Sequence, residues 1–188
     1  MAVDYYMAPV GKNGELYTSG AQIAGTVTDP FPGRPTFKGG SLFELTAFSF
    51  QVEQALNIAP KATSGQATFN QVRVTRTIDK ATPQFFYMCA AGINFKYVDF
   101  LARKSTSAGS SSSPPTDGVV YLAFGLEDVI IKSIGYSSDS EAPTEILSLE
   151  YRVLRIAYSQ QNTNGSTNQF QRTSWDQVTN TGTVPATS

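Results

Sequence analysis

Histidine is absent and cysteine occurs once in the 188 residues. Without histidine the chain cannot build a Ser-His-Asp or Cys-His catalytic group, nor a histidine-bearing zinc site, and one thiol cannot build a Cys-only site. A single cysteine also excludes an intrachain disulfide, so no covalent framework supports the fold. Basic excess is missing as well. Lys and Arg number 14 against 15 Asp and Glu, which argues against a phosphate-backbone partner. No apolar run approaches the roughly 18 residues a membrane-spanning helix needs. The opening Met1–Tyr6 has neither a basic stretch nor an apolar core, so a cleaved signal peptide is not expected.

What is present is neutral and polar. There are 19 Ser and 20 Thr, while charged residues make up 15 %, below the usual quarter. Aromatic content is 12 % and hydrophobic content 40 %, enough to fill one core in a chain of this length. Many Thr, Tyr, Phe and Val with little charge favour strands over helices. The same composition suits surfaces that meet other protein surfaces, whose centres are depleted in charge.

Period-two alternation dominates along the chain. Leu45–Val52 reads as a strand with Phe48 and Phe50 on one face and Ser49 and Gln51 on the other. In Gln66–Ile78 the apolar positions pass from odd (Ala67, Phe69) to even (Val72, Val74, Ile78), which predicts a β-bulge near Asn70-Gln71. Phe95–Lys104 is apolar on both faces and should be covered on both. Val119–Tyr136 is interrupted at Gly125–Asp128, as two strands or one bent strand. Glu145–Tyr158 slips parity at Arg152-Val153. Such long, slipping strands predict a strongly bent sheet, a closed barrel or a coiled sandwich. One helix is expected, with Thr82 as N-cap, Pro83 at its first position, Gln84–Ala91 following and Gly92 as the left-handed stop. It would pack through Phe85, Phe86 or Cys89. Residues 17–40, with Asp29-Pro30-Phe31-Pro32-Gly33-Arg34-Pro35 inside them, read as a Pro-rich loop with a short strand at Ala21–Val27. Residues 105–118 read as a Ser-rich loop and 162–188 as a polar C-terminal tail anchored by Trp175.

Several residues invite a chemical role and lose it on inspection. Cys89 has no base beside it and is expected to be a small buried hydrophobe. Glu127 and Asp128 are adjacent, so on a strand they face opposite ways and suit ion pairs rather than a local acid–base couple. Asn164-Gly165-Ser166 matches a glycosylation pattern by chance in a chain without a signal peptide.

In order and spacing these segments resemble the type VI secretion tube family, the haemolysin-coregulated proteins. The resemblance rests on Met1-Ala2-Val3-Asp4-Tyr5-Tyr6, Ala47-Phe48-Ser49-Phe50, Ile78-Asp79-Lys80-Ala81-Thr82-Pro83, Met88-Cys89-Ala90-Ala91-Gly92 and Leu126-Glu127-Asp128-Val129-Ile130-Ile131. It continues through Glu145–Tyr151, with Ile156, Tyr158 and Gln161, to Thr173-Ser174-Trp175-Asp176. Residues 17–40 and 105–118 look like insertions against the family pattern. The resemblance implies one mainly β domain over 1–188: a small closed β-barrel of two curved, mostly antiparallel sheets, flanked by one short α-helix, with long loops. It implies a structural subunit without enzymatic activity, cofactor or metal. Hexameric rings would stack into a hollow tube, driven by sheath contraction to deliver a spike protein and effectors. The partners are then copies of itself, spike, sheath and effectors, with no nucleic acid and no membrane insertion. The location is cytoplasmic before assembly and extracellular afterwards. By resemblance Ser49 and Gln51 face the tube lumen, and the loop carrying Leu56, Ile58 and Lys61 reaches the next ring. Tyr5, Tyr6 and Trp175 are candidate subunit contacts. A contractile phage tail tube and a monomeric β-barrel module for a glycan or small ligand are the alternative readings.

Overall fold

The structure, a computed structural model, describes residues 3–19, 26–54, 67–104, 119–138, 142–160 and 168–184. The Ser-rich loop 105–118, the segment 55–66 and Asn164-Gly165-Ser166 lie outside the described residues. The strands are β1 (Val3–Gly11), β2 (Thr26–Thr28), β3 (Thr36–Lys38), β4 (Phe43–Glu44), β5 (Ala47–Ser49), β6 (Val52–Gln54), β7 (Ala67–Phe69) and β8 (Val72–Thr77). Helix α1 (Thr82–Ala91) follows. After it come β9 (Phe95–Lys104), β10 (Val119–Ser137), β11 (Thr144–Glu150), β12 (Val153–Tyr158), β13 (Gln171–Asp176) and β14 (Thr181–Thr183).

Every described pairing is antiparallel, and β10 is the hub. Its first half pairs with β9 and β12, its second half with β11. The switch falls at Asp128, a non-glycine residue at φ 51°. Opposite it the chain breaks between β11 and β12, where the Arg152 amide donates to the Glu127 carbonyl at 3.0 Å and the Arg152 guanidinium meets Asp128 at 2.8 Å. Both expected irregularities are therefore the two sides of one bend. The sheet is branched: β14-β13-β12-β10-β11-β8-β5, with β9, β1 and β4 leaving β10 in turn. Among the described residues the ladders end at β14, β4 and β5, so they do not draw the expected closed barrel. The segment 43–49 spans the remaining gap in two steps, pairing with β1 through Phe43–Glu44 and with β8 through Ala47–Ser49.

β9 is covered on both faces, as its composition requires. One core holds Met7, Phe43, Phe85, Val98, Phe100, Leu126 and Leu149. A second, on the other face, holds Tyr6, Val10, Tyr97, Leu101 and Ala123 with Val27, Phe31 and Phe37. The last three belong to a hairpin, β2 against β3, whose connection is the Pro-rich segment. Within residues 17–40 the described part holds this short hairpin: the prolines occupy the turn and leave the flanking residues free to pair. Residues 162–188 likewise hold more than a tail, because β13 pairs with β12 and β14 with β13.

Helix α1 begins one residue earlier than expected, with Thr82 inside it. Ala81 is the N-cap and no side chain caps the first turn; just before it, Asp79 Oδ1 accepts from the Ala81 amide at 2.8 Å. Gly92 ends the helix at φ 65°, with the Ile93 amide donating to the Met88 carbonyl at 3.0 Å. Phe85 is buried, 5.3 Å from the Phe43 ring, and Cys89 packs half-buried on the same core. Phe86 points outward.

Candidate functional site

The polar face singled out in the sequence lies on a two-stranded arm. β5 and β6 form one side, β7 and β8 the other, and the register changes across Asn70-Gln71: Ser49 faces Arg73, whereas Val52 faces Phe69. The Asn70 amide donates to the Gln51 carbonyl at 3.0 Å, which keeps the two sides joined through the bulge. The Tyr151 hydroxyl donates to the Asn70 carbonyl at 3.1 Å. Burial pushes that hydroxyl up to about 12, so it remains a donor at any physiological pH.

Alternation then sorts the side chains. Phe48 stacks on Phe100 at 5.5 Å and Phe50 meets Phe124 edge-on at 5.1 Å, both turned to the core. Ser49 and Gln51 are exposed on the opposite face. Together with Phe50, Asn70, Gln71 and Arg73 they line an open cleft of about 450 Å³. Apart from Phe50, the lining is amide, hydroxyl and one guanidinium. Gln51 Nε2 donates to Glu53 Oε1 at 2.6 Å. Such a surface offers many weak hydrogen-bonding positions.

Leu56, Ile58 and Lys61 sit between β6 and β7, outside the described residues. Tyr5 is half-buried with its ring 5.6 Å from Phe48, while Tyr6 is buried in the second core and its hydroxyl accepts from Arg103 Nη2 at 3.2 Å. Tyr6 therefore offers almost no surface to a neighbour. Trp175 is half-buried, stacked 6.5 Å from Phe69 and pressed by Gly182, where an added Cβ would lie 2.5 Å from the indole. Glu127 and Asp128 take separate ion pairs, Glu127 with Arg155 at 2.9 Å and Arg34 at 3.3 Å, Asp128 with Arg152.

Two buried charge clusters escape the sequence reading. Arg76 pairs with Glu145 at 2.7 Å and with Asp79, its guanidinium lying over the rings of Phe43 and Phe85. Burial raises Glu145 against the opposing pull of Arg76. Arg34, from the Pro-rich segment, pairs with fully buried Asp99 at 2.9 Å. The only trace of this second cluster in the sequence is Asp99 itself, one acid within the two-sided apolar run of β9.

A sequence model of the family described as "Type VI secretion system effector, Hcp" matches residues 23–158. Three solved structures are similar. One described as "Structure of a type six secretion system protein" has a TM-score of 0.72 and 17 % identity, covering 97 % of this chain and 100 % of its own. Hcp1 from Salmonella typhimurium has a TM-score of 0.65 and 17 % identity, with 97 % and 100 % covered. A variant of Hcp1 from E. coli EAEC 042 has a TM-score of 0.68 and 15 % identity, with 94 % and 99 % covered. No curated protein sequence matches the chain.

Proposed function

The chain belongs to the Hcp family of type VI secretion system effectors, and on that footing we propose that it is a structural subunit of a secretion tube. The family match over residues 23–158 carries the reading, and the fold supports it over nearly the whole length. Six copies close into a ring through a heterologous contact, and rings stack into a hollow tube. The function is assembly and delivery, not catalysis. Spike and effectors travel with the tube, and the sheath contracts around it.

Within this reading the exposed face of Ser49 and Gln51 lines the lumen. Its small neutral side chains present weak, repeated contacts, so cargo is held without a deep charge trap. The segment carrying Leu56, Ile58 and Lys61 contacts the next ring, and exposed parts of Tyr5 and Trp175 contribute to neighbour contacts. The chain is made in the cytoplasm and leaves through the apparatus.

Gel filtration with light scattering tests the assembly: a hexamer is expected, and rings by negative-stain microscopy. A monomer at high concentration without rings overturns the reading in favour of a single-copy binding module. Ser49→Gln tests the lumen assignment. Rings should persist while co-purifying effector falls, and unchanged retention would place Ser49 elsewhere.

A further inference from the structure

Arg34 enters the second core from the turn of the Pro-rich hairpin and lies side-on to Asp99. Its Nε is 2.9 Å from Asp99 Oδ2, and its Nη2 donates to Asp99 Oδ1 at 3.4 Å. Nη2 also donates to Glu127 Oε1 at 3.3 Å. The guanidinium carbon lies over the Tyr97 ring, 3.6 Å from its centroid. One planar cation is thus forked onto a carboxylate and covered by an aromatic face. The sheet leaves room for this arrangement. Asp99 is fully buried on the face of β9 that also carries Tyr97, and it pairs in register with Gly125 of β10. A Cβ at Gly125 would lie 2.7 Å from Asp99 Oδ1 and 2.9 Å from the Phe31 ring. Among the described residues Arg34 is the one cation within ion-pair distance of Asp99. Glu127, by contrast, is shared with Arg155 at 2.9 Å. Asp29 turns its Oδ1 to the Phe31 amide at 2.8 Å, and Arg172 donates to the Pro30 carbonyl at 2.8 Å. Lys96, next to Tyr97 in β9, is exposed, with its ammonium 6.0 Å from the ring centroid. An ammonium is therefore at hand, and a guanidinium holds the site. Paired acceptors under an aromatic face suit a flat, delocalised cation better than a compact, strongly hydrated one.

We propose that Asp99, Glu127 and Tyr97 form an arginine-binding site, that Arg34 is its built-in ligand, and that the site takes an alkylguanidinium from solution once Arg34 is removed. The driving force is the buried carboxylate. Without Arg34, Asp99 is left uncompensated in the interior, and a ligand that restores the pair recovers that loss. The Pro-rich hairpin is then a plug: Val27, Phe31 and Phe37 cover the apolar surround, and Arg34 supplies the polar contact. Every group involved belongs to one copy of the chain, so the site is independent of ring assembly.

Saturation-transfer NMR on the full chain tests the site by following the methyl group of methylguanidinium, with methylammonium as the charge-matched control. Arg34→Ala should give a saturable signal with methylguanidinium, with a dissociation constant on the order of 1 mM for so small a ligand. Methylammonium should bind at least about tenfold more weakly. The unaltered chain, whose site is filled, should give no saturable signal, and Arg34→Ala/Asp99→Asn should lose it. Arg34→Lys is the second variant, because it keeps the charge without the fork. Peptide-level hydrogen exchange over β2 and β3 should show about tenfold or greater loss of protection in that variant, while β8 and β11 of the first core keep theirs. An equal response to the two probes overturns the proposal, as does a signal that survives Asp99→Asn or the lack of one from folded Arg34→Ala. Should Arg34→Ala not fold, Arg34→Lys decides: a hairpin as well protected as in the unaltered chain means that the site reads charge alone, and the proposal fails.

Discussion

Arg76 is the residue on which the base of the helix turns. It is buried with Glu145, both among apolar rings, and a buried charge that loses its partner is costly. Arg76→Met should therefore destabilise the chain by about 3–5 kcal/mol in denaturant unfolding. The double variant Arg76→Met/Glu145→Leu should recover most of that, because the desolvation of both groups is then avoided. Recovery of less than half would mean that the pair contributes more than mutual neutralisation. Gly125→Ala is a second test at this scale. Its methyl would meet Asp99 and Phe31 inside van der Waals distance, and a loss of about 1–3 kcal/mol is expected. Of the individual residues, Ser49, Gln51, Phe48 and Phe50 were placed correctly by alternation alone. Arg76 and Asp99 were not, since their partners lie 69 and 65 positions away in Glu145 and Arg34 and no local pattern records them.

At the scale of elements, the bend in β10 and the break between β11 and β12 hold each other in place. Asp128 adopts a left-handed conformation that a β-branched side chain resists. Asp128→Gly should leave stability within about 0.5 kcal/mol, since the lost pair with Arg152 is exposed. Asp128→Val should cost about 1–3 kcal/mol more than glycine does, read from the difference in chemical denaturation midpoints. For α1 the contrast lies between neighbours. Phe85→Ala should cost about 3–5 kcal/mol, because the ring is fully buried among Phe43, Phe95 and Tyr17. Phe86→Ala should stay within about 0.5 kcal/mol. Parity slips at Asn70-Gln71 and Arg152-Val153 were visible in the sequence because a bulge moves every later side chain to the opposite face. The β2–β3 hairpin was obscured by its own prolines, and β13–β14 by polar composition, since an edge hairpin needs little apolar surface to pair.

For the whole molecule, near-neutral charge sets the expectation for assembly. With 14 basic and 15 acidic residues, ring formation should depend weakly on salt. Light scattering at about 1 M NaCl should still report a hexamer, and dissociation to monomers would indicate contacts dominated by ion pairs. By itself the sequence determined the mainly β character, helix α1 and its glycine stop, the positions of the bends and the two-sided burial of β9. All of these follow from side-chain periodicity and from residues with restricted backbones, which act over a few positions. Only the tertiary structure decided that the sheet branches at β10, that the Pro-rich segment closes a second core, and that Arg34 meets Asp99 inside it. Those outcomes depend on which distant faces come together, and local spacing does not record that.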